Sequence, residues 1–253
     1  MKILICNDDG IWSKGISELA KAMQNMGEIT VVAPDVERSA SGHAITIHDP
    51  VRVRETTLWE SDIKGYALTG TPADCVKFGV SMIMDEPPDI VVSGINRGPN
   101  LGTDVLYSGT VSAAIEASIL GIPAMAVSLD SYDDEDYSFA AQAALEIARK
   151  MTKRHLPANI LLNVNVPDVP SHLCKGIKVT KLGIRKYKEN YIKRIDPRGG
   201  VYYWLAGDLV EEEQLDDVDI AAVKDGYISV TPIHYNLTAY SQLENVMDWF
   251  NDG

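Results

Sequence analysis

A chain of 253 residues with 45% hydrophobic content carries enough apolar side chain for a large folded core, which excludes a disordered or fibrous polypeptide. Its formal charge of −13 and pI near 4.8 exclude the clustered basic surface that a DNA or RNA duplex requires, leaving small phosphorylated ligands only where a bound cation reverses the local sign. No run is long enough to span a bilayer and the first residues hold too few apolar positions for a signal peptide, so a cytoplasmic protein without a membrane partner is expected. Cys6, Cys75 and Cys174 lack metal-ligand spacing and fit reduced thiols.

Taken in order, Met1 to Cys6 is an apolar run of strand length that ends in Asn7-Asp8-Asp9-Gly10. Such a run reads as a strand buried on both faces of a parallel sheet, with the two acids just past its carboxyl end. Taken alone, Asp-Asp-Gly reads equally well as a solvated turn. Ile16, Leu19, Ala20, Met23 and Met26 recur at helical spacing from about Ser13 and stop at Gly27; Glu28 to Pro34 is a second strand. This βαβ order makes the two strands parallel, so the polar loop Asp35 to His43, with Ser39, Ser41 and Gly42, opens on the same edge as Asp8. Residues 44–69 alternate in short stretches, an antiparallel extension that places Arg52 and Arg54 on one solvated face.

Thr71-Pro72-Ala73-Asp74 is a helix start, with Thr71 as N-cap and Pro72 in the first helical position. Asp89 to Gly94 is a further strand, running into a loop rich in Gly and Asn that includes Asn96 and Asn100. Gly and Asn there permit close backbone approach to a ligand. Ser108, Gly109 and Thr110 then open a helix, and its free amides and dipole make a natural phosphate seat, although capping alone also accounts for Thr110. Pro123 to Leu129 and Asn159 to Val166 read as strands around a helix from Tyr137 to His155, led by the acidic run Asp133 to Asp136, which reads as solvated capping charge.

Beyond about Lys175 the alternation is lost. Ile184 to Ala206 has the pattern of a long hairpin carrying Tyr187, Tyr191, Tyr202, Tyr203 and Trp204, a projecting arm suited to a second copy of the chain. Glu211 to Glu213 with Asp216 and Asp217 read as a solvated loop, Tyr227 to Ile233 as a strand and Thr238 to Phe250 as an amphipathic helix. The expectation is one domain over residues 1–253, α/β in class: a mostly parallel sheet flanked by helices (core about 1–180), an arm at 184–206 and a C-terminal segment at 226–253.

Three polar loops therefore meet at one sheet edge. Asp8, Asp9, Ser39 and Asn96 form an all-oxygen set suited to a hard cation, Mg²⁺ or Mn²⁺, rather than zinc. A cation with open positions beside an anion seat points to phosphate-ester hydrolysis, with Asp8 and Asp9 as the catalytic carboxylates and Ser108, Gly109, Thr110, Asn100, Ser41 and Gly42 around the phosphate. No G-x-G-x-x-G follows the first strand, and neither a P-loop nor a G-x-S-x-G elbow occurs. The five histidines are scattered; only His43 lies in the Ser39 loop.

Asn7-Asp8-Asp9-Gly10, Ala33-Pro34-Asp35 with Arg38-Ser39, Gly70 to Val76, Ser93-Gly94-Ile95-Asn96 and Tyr107 to Thr110 together resemble the SurE family of survival-protein nucleotidases. The resemblance implies a divalent-metal phosphatase acting on nucleoside 5′- and 3′-monophosphates and, in some members, short polyphosphate. It also implies a Rossmann-like core, one cation per subunit held by Asp8, Asp9, Ser39 and Asn96, and a homodimer or homotetramer that exchanges the hairpin and C-terminal segment. The chain departs from the usual pattern at Trp12-Ser13-Lys14, at Ala117 and at Asn236. The rival expectation, a non-catalytic nucleotide-binding regulatory protein, keeps the phosphate seat but leaves two adjacent acids repelling the ligand.

Overall fold

In the computed structural model, residues 1–133, 136–154, 156–157, 159–210 and 214–251 are described. Asp134 and Glu135 of the acidic run, His155, Glu211 to Glu213 and the last two residues of the C-terminal segment lie outside them.

The opening run forms β1 (Lys2–Cys6), with Ile3, Leu4, Ile5 and Cys6 fully buried. Helix α1 (Lys14–Met23) follows, then β2 (Glu28–Pro34), which pairs parallel with β1. The antiparallel extension is β3 (Val53–Thr57) on β4 (Lys64–Leu68), but β4 itself lies parallel to β2. Arg52 lies just before β3 but continues its pairing, its carbonyl accepting from the Thr69 amide at 3.0 Å, and both Arg52 and Arg54 are exposed, Arg54 with its guanidinium over the Trp12 ring at 5.3 Å.

Helix α2 (Pro72–Phe78) starts as its sequence predicts. The Thr71 hydroxyl accepts from the Asp74 amide, and the Asp74 carboxylate accepts from the Thr71 amide, a reciprocal capping box that is worth about 1 kcal/mol in typical helices. Strand β5 (Ile90–Arg97), helix α3 (Gly109–Ile119), β6 (Ala124–Asp130), α4 (Ser138–Lys153) and β7 (Ile160–Pro167) complete the βα alternation. Short β8 (Ile177–Val179) precedes the arm, β9 (Lys186–Ile195) and β10 (Val201–Val210), which is four residues longer at its return strand than the sequence pattern predicts. Helix α5 (Asp219–Lys224), β11 (Ile228–His234) and α6 (Leu243–Asn251) end the described chain.

The sheet order is β3-β4-β2-β1-β5-β6-β7-β11-β8, with β2, β1, β5, β6 and β7 all parallel and β11 antiparallel to β7. Two cores cover its faces. Ile3 and Ile5 pack with α1 and α4 on one side, while Leu4 and Cys6 pack with α2 and α3 on the other. Strand β1 is thus the point where strand order reverses: its chain leaves for α1 on one face, and that of β5 leaves for α3 on the opposite face. In an open α/β sheet this divergence opens a crevice at the carboxyl strand ends. The paired β9 and β10 form a separate two-stranded sheet, with Tyr191 62% and Trp204 65% exposed, and α6 buries no residue at all.

Candidate active site

The crevice is shaped first by Asn7. Its side-chain amide donates to the Gly10 carbonyl at 3.1 Å and to Ser13 Oγ at 2.8 Å, and its carbonyl oxygen accepts from the Gly10 amide at 3.2 Å. Gly10 has φ +99°, which an L side chain rarely adopts, so glycine is required to close this turn. The turn presents Asp8 and Asp9, and the Arg38 amide donates to the Asp8 carbonyl at 2.8 Å, fixing the second loop against the first.

Helix α3 presses onto Asp8 from the other face. Thr110 donates its hydroxyl to Asp8 Oδ1, and the Thr110 Oγ1 also lies 3.4 Å from Asn96 Oδ1. A Cβ on Gly109 would stand 2.7 Å from the Asp8 Cβ, so only glycine allows this approach. The N-cap is Ser108, whose hydroxyl accepts from the Val111 amide at 3.1 Å; Thr110 is not a cap but a bridge between Asp8 and Asn96. The Asn96 amide is held by the Gly98 and Arg97 carbonyls at 2.7 and 3.2 Å. Asp9 Oδ2 accepts from the Arg97 amide at 3.3 Å.

Both carboxylates are strained electrostatically. Burial raises the Asp8 carboxyl above its ordinary range, opposed by the Thr110 hydroxyl and nearby backbone amides. Burial, and then the charge of Asp8, pushes Asp9 up to about 7. Among the described residues no Lys, Arg or His forms an ion pair with either acid. Nor do three or more His, Cys, Asp or Glu side chains gather there as a metal cluster, so any cation site must combine the two acids with neutral oxygens.

The Ser39 loop lies beside this pair. Ser39 is exposed and donates to Glu37 Oε1 at 2.6 Å. Ala40 has φ +55°, a strained conformation for a non-glycine residue, and the Ser41 hydroxyl oxygen is buried without a hydrogen-bond partner. The Gly42 amide donates to the Tyr107 carbonyl at 3.0 Å, bringing the loop to the residue before Ser108. His43 Nε2 lies 2.8 Å from Glu116 Oε2, and Lys77 donates to Glu116 Oε1 at 2.7 Å. Burial works against ionisation of Glu116, but these two partners outweigh it and hold the carboxyl below its ordinary value.

Asn100 sits beneath the crevice rather than on its rim. Its side-chain amide donates to Ser128 Oγ at 2.8 Å, its main-chain amide to Asn165 Oδ1 at 2.8 Å, and its carbonyl accepts from both Asn163 and Asn165. Away from this edge, at the base of the arm, Leu101, Asp130, Arg185, Val210 and Ile220 line a cavity of about 640 Å³.

A family model described as "Survival protein SurE" matches residues 3–189. The chain belongs to the SurE family. It is 51% identical over 253 residues to "5'-nucleotidase SurE" of Heliobacterium modesticaldum, covering 100% of this chain and 93% of that protein. It is 55% identical over 247 residues to the protein of the same description from Pelotomaculum thermopropionicum, covering 97% and 94%. The crystal structure of the SurE protein from Aquifex aeolicus superposes with a TM-score of 0.85 at 41% identity, covering all of both chains.

Within this SurE fold, Asp8, Asn96, Gly109 and Thr110 converge directly, and Asp9 joins them through Arg97. Ser39 itself bonds to Glu37; it is its neighbour Arg38 that ties the loop to Asp8. Two organising residues carried no prior assignment. Asn7 was visible only as the first letter of Asn-Asp-Asp-Gly, and an Asx-type turn around Gly10 is the signal that exposes it. Glu116 was unassigned within its helix; a lone acid on an otherwise apolar and small-residue helix is the signal there.

Proposed function

We propose that this SurE-family protein is a 5′-nucleotidase that hydrolyses nucleoside 5′-monophosphates to nucleoside and phosphate, also accepting 3′-monophosphates and short-chain polyphosphate. The observation that carries the reading is the convergence of Asp8, Asn96 and Thr110 at the switch point of the sheet, on the N-terminus of α3.

The residues fit a divalent cation. Two adjacent, largely buried carboxylates without a cationic partner oppose each other's ionisation, and a dication removes that conflict. Asp8, Asp9, Ser39 and Asn96 would hold one Mg²⁺ or Mn²⁺ per subunit, oxygen donors throughout, as these hard ions require. When bound, the cation supplies Lewis acidity toward a phosphoryl oxygen and lowers the pKa of water.

The chain's own groups account for the rest. The α3 N-terminus, with Ser108, Gly109 and Thr110, receives the phosphate, and its dipole favours the charge that develops on the equatorial oxygens. Ser41, whose hydroxyl is buried without a partner, and Gly42, whose amide ties the second loop to the Tyr107 carbonyl, would complete the seat. Asn100 acts from below by fixing the Gly98 to Gly102 loop. Water oxygen bonds to phosphorus, the ester P–O bond breaks, and the leaving oxygen departs protonated as the nucleoside hydroxyl. Asp9, whose carboxylate is held at the β1 end by the Arg97 amide, would orient that water.

A homodimer or homotetramer completes the proposal. A two-stranded ribbon and a nine-residue helix with no buried residue are marginal in isolation. Trp249 and Phe250, 68% and 81% exposed, need a partner surface, which exchange of the arm and C-terminal segment between copies supplies. No helix among the described residues is long and apolar enough to cross a membrane. We place the protein, as a single domain, in the cytoplasm.

The deciding experiment is phosphate release from nucleoside 5′- and 3′-monophosphates, polyphosphate and a generic ester, with Mg²⁺, Mn²⁺ or a chelator. Release from the 5′-monophosphates that stops on chelation is expected. Tight nucleotide binding without phosphate release under any metal would overturn the proposal in favour of a regulatory binding protein.

A further inference from the structure

The Ser39 hydroxyl is the least constrained of the four proposed ligands. It is exposed, on a loop, and neutral. A hydroxyl carries one proton and two acceptor lone pairs, so it serves a cation well only when its proton is drawn elsewhere. Here the proton is directed to Glu37 Oε1 across 2.6 Å, a length typical of a hydrogen bond to a charged carboxylate. The residue between them is the anchor: Arg38 donates its amide to the Asp8 carbonyl at 2.8 Å, so Glu37 and Ser39 flank a point fixed to the first metal-site acid. Glu37 forms no ion pair among the described residues; the neighbouring Arg38 guanidinium instead approaches Asp35 at 4.0 Å.

We infer that Glu37 is a positioning residue for the cation site, taking the Ser39 proton so that the Ser39 oxygen turns its lone pairs toward the ion. The inference rests on the metal-site reading above and adds to it a residue outside the ligand set. Outer partners of this kind orient ligands and raise their donor strength, and their loss typically weakens metal affinity 10- to 100-fold.

Mn²⁺ affinity, measured by calorimetry and by the electron paramagnetic resonance signal of free Mn²⁺, tests this without substrate. Wild-type protein, Asp8→Asn, Glu37→Ala, Glu37→Gln, Ser39→Ala and the Glu37→Ala/Ser39→Ala double variant are compared. Asp8→Asn should abolish binding. Glu37→Ala should weaken it by about tenfold, Glu37→Gln less, because its amide oxygen still accepts the Ser39 proton. In the Ser39→Ala background, Glu37→Ala should cost nothing further, since two residues that act as one unit are not additive. Unchanged affinity in Glu37→Ala, or full additivity in the double variant, would overturn the role of Glu37 while Asp8-dependent binding left the metal site standing. Absence of Mn²⁺ binding in the wild type would remove the metal site and this inference together.

Discussion

The Thr110 hydroxyl donates to Asp8 across 102 residues of sequence, joining the N-terminus of α3 to the carboxyl end of β1. This bond fixes the orientation of a buried acid. Thr110→Val keeps the shape but removes the donor, leaving Asp8 buried with one fewer partner. A loss of stability of about 1–3 kcal/mol is expected, with phosphatase activity falling at least tenfold and recovering in Thr110→Ser. Thermal melts and kcat for a 5′-monophosphate check both; a Thr110→Val enzyme at wild-type rate would contradict the bridging role.

Gly109→Ala drives a methyl group to 2.7 Å from Asp8 Cβ. Overpacking of this kind costs about 1–3 kcal/mol. The displaced acid should also lose Mn²⁺ binding, so a variant that melts and binds like wild type would show that α3 tolerates retreat from β1.

The metal-free protein should lose stability as pH rises. Asp9 titrates at 3.8 in its ordinary state and at about 7 when folded. Between those values the folded chain holds a proton that the unfolded chain has released, so stability is greatest at the acid end and declines until about pH 7. In chelator, wild-type Tm should therefore fall between pH 5 and 7.5 more steeply than that of Asp9→Asn, and the difference isolates Asp9 from the other buried acids. Parallel profiles for the two proteins would count against a raised Asp9.

Cation addition should act in the opposite sense. At pH 7.5, Mn²⁺ at 100 times its Kd should stabilise the wild type by about 2.7 kcal/mol, and chelation should stop turnover reversibly. Neither effect is expected in Asp8→Asn. A Tm indifferent to Mn²⁺ would argue that the two acids do not share an ion.

Ending the chain after Gln242 removes α6, none of whose residues is buried within one copy. Light scattering should report a smaller assembly than the full chain, while far-ultraviolet circular dichroism stays close to that of the intact protein. An unchanged mass would place the subunit contact elsewhere.

Much of this architecture was legible from local pattern. The apolar run before Asn7, the Thr71 cap and the polar loops after three strands each carry their signal within a few residues. What escaped depends on distant partners. In the sequence Thr110 reads as part of a phosphate seat or as a cap, and only the approach of β1 makes it a bridge to Asp8. Asn163 and Asn165 lay in a segment read simply as a strand with an apolar middle, yet their side chains hold the Asn100 loop from two strands away in the sheet order. Asp219 sits beyond acids read as a solvated loop, but it is fully buried and accepts the Gly102 and Gly183 amides at 2.8 Å each. Charge composition alone does not separate such a buried hub from its solvated neighbours.

The reversal of strand order at β1 also sets which parts of the chain give the acids their character. Asp8 and Asp9 precede Thr110 by about a hundred residues, so their partners come from β5 and the first turn of α3, far along the chain. Their character is therefore not local to Asn-Asp-Asp-Gly but belongs to the half of the sheet that buries them.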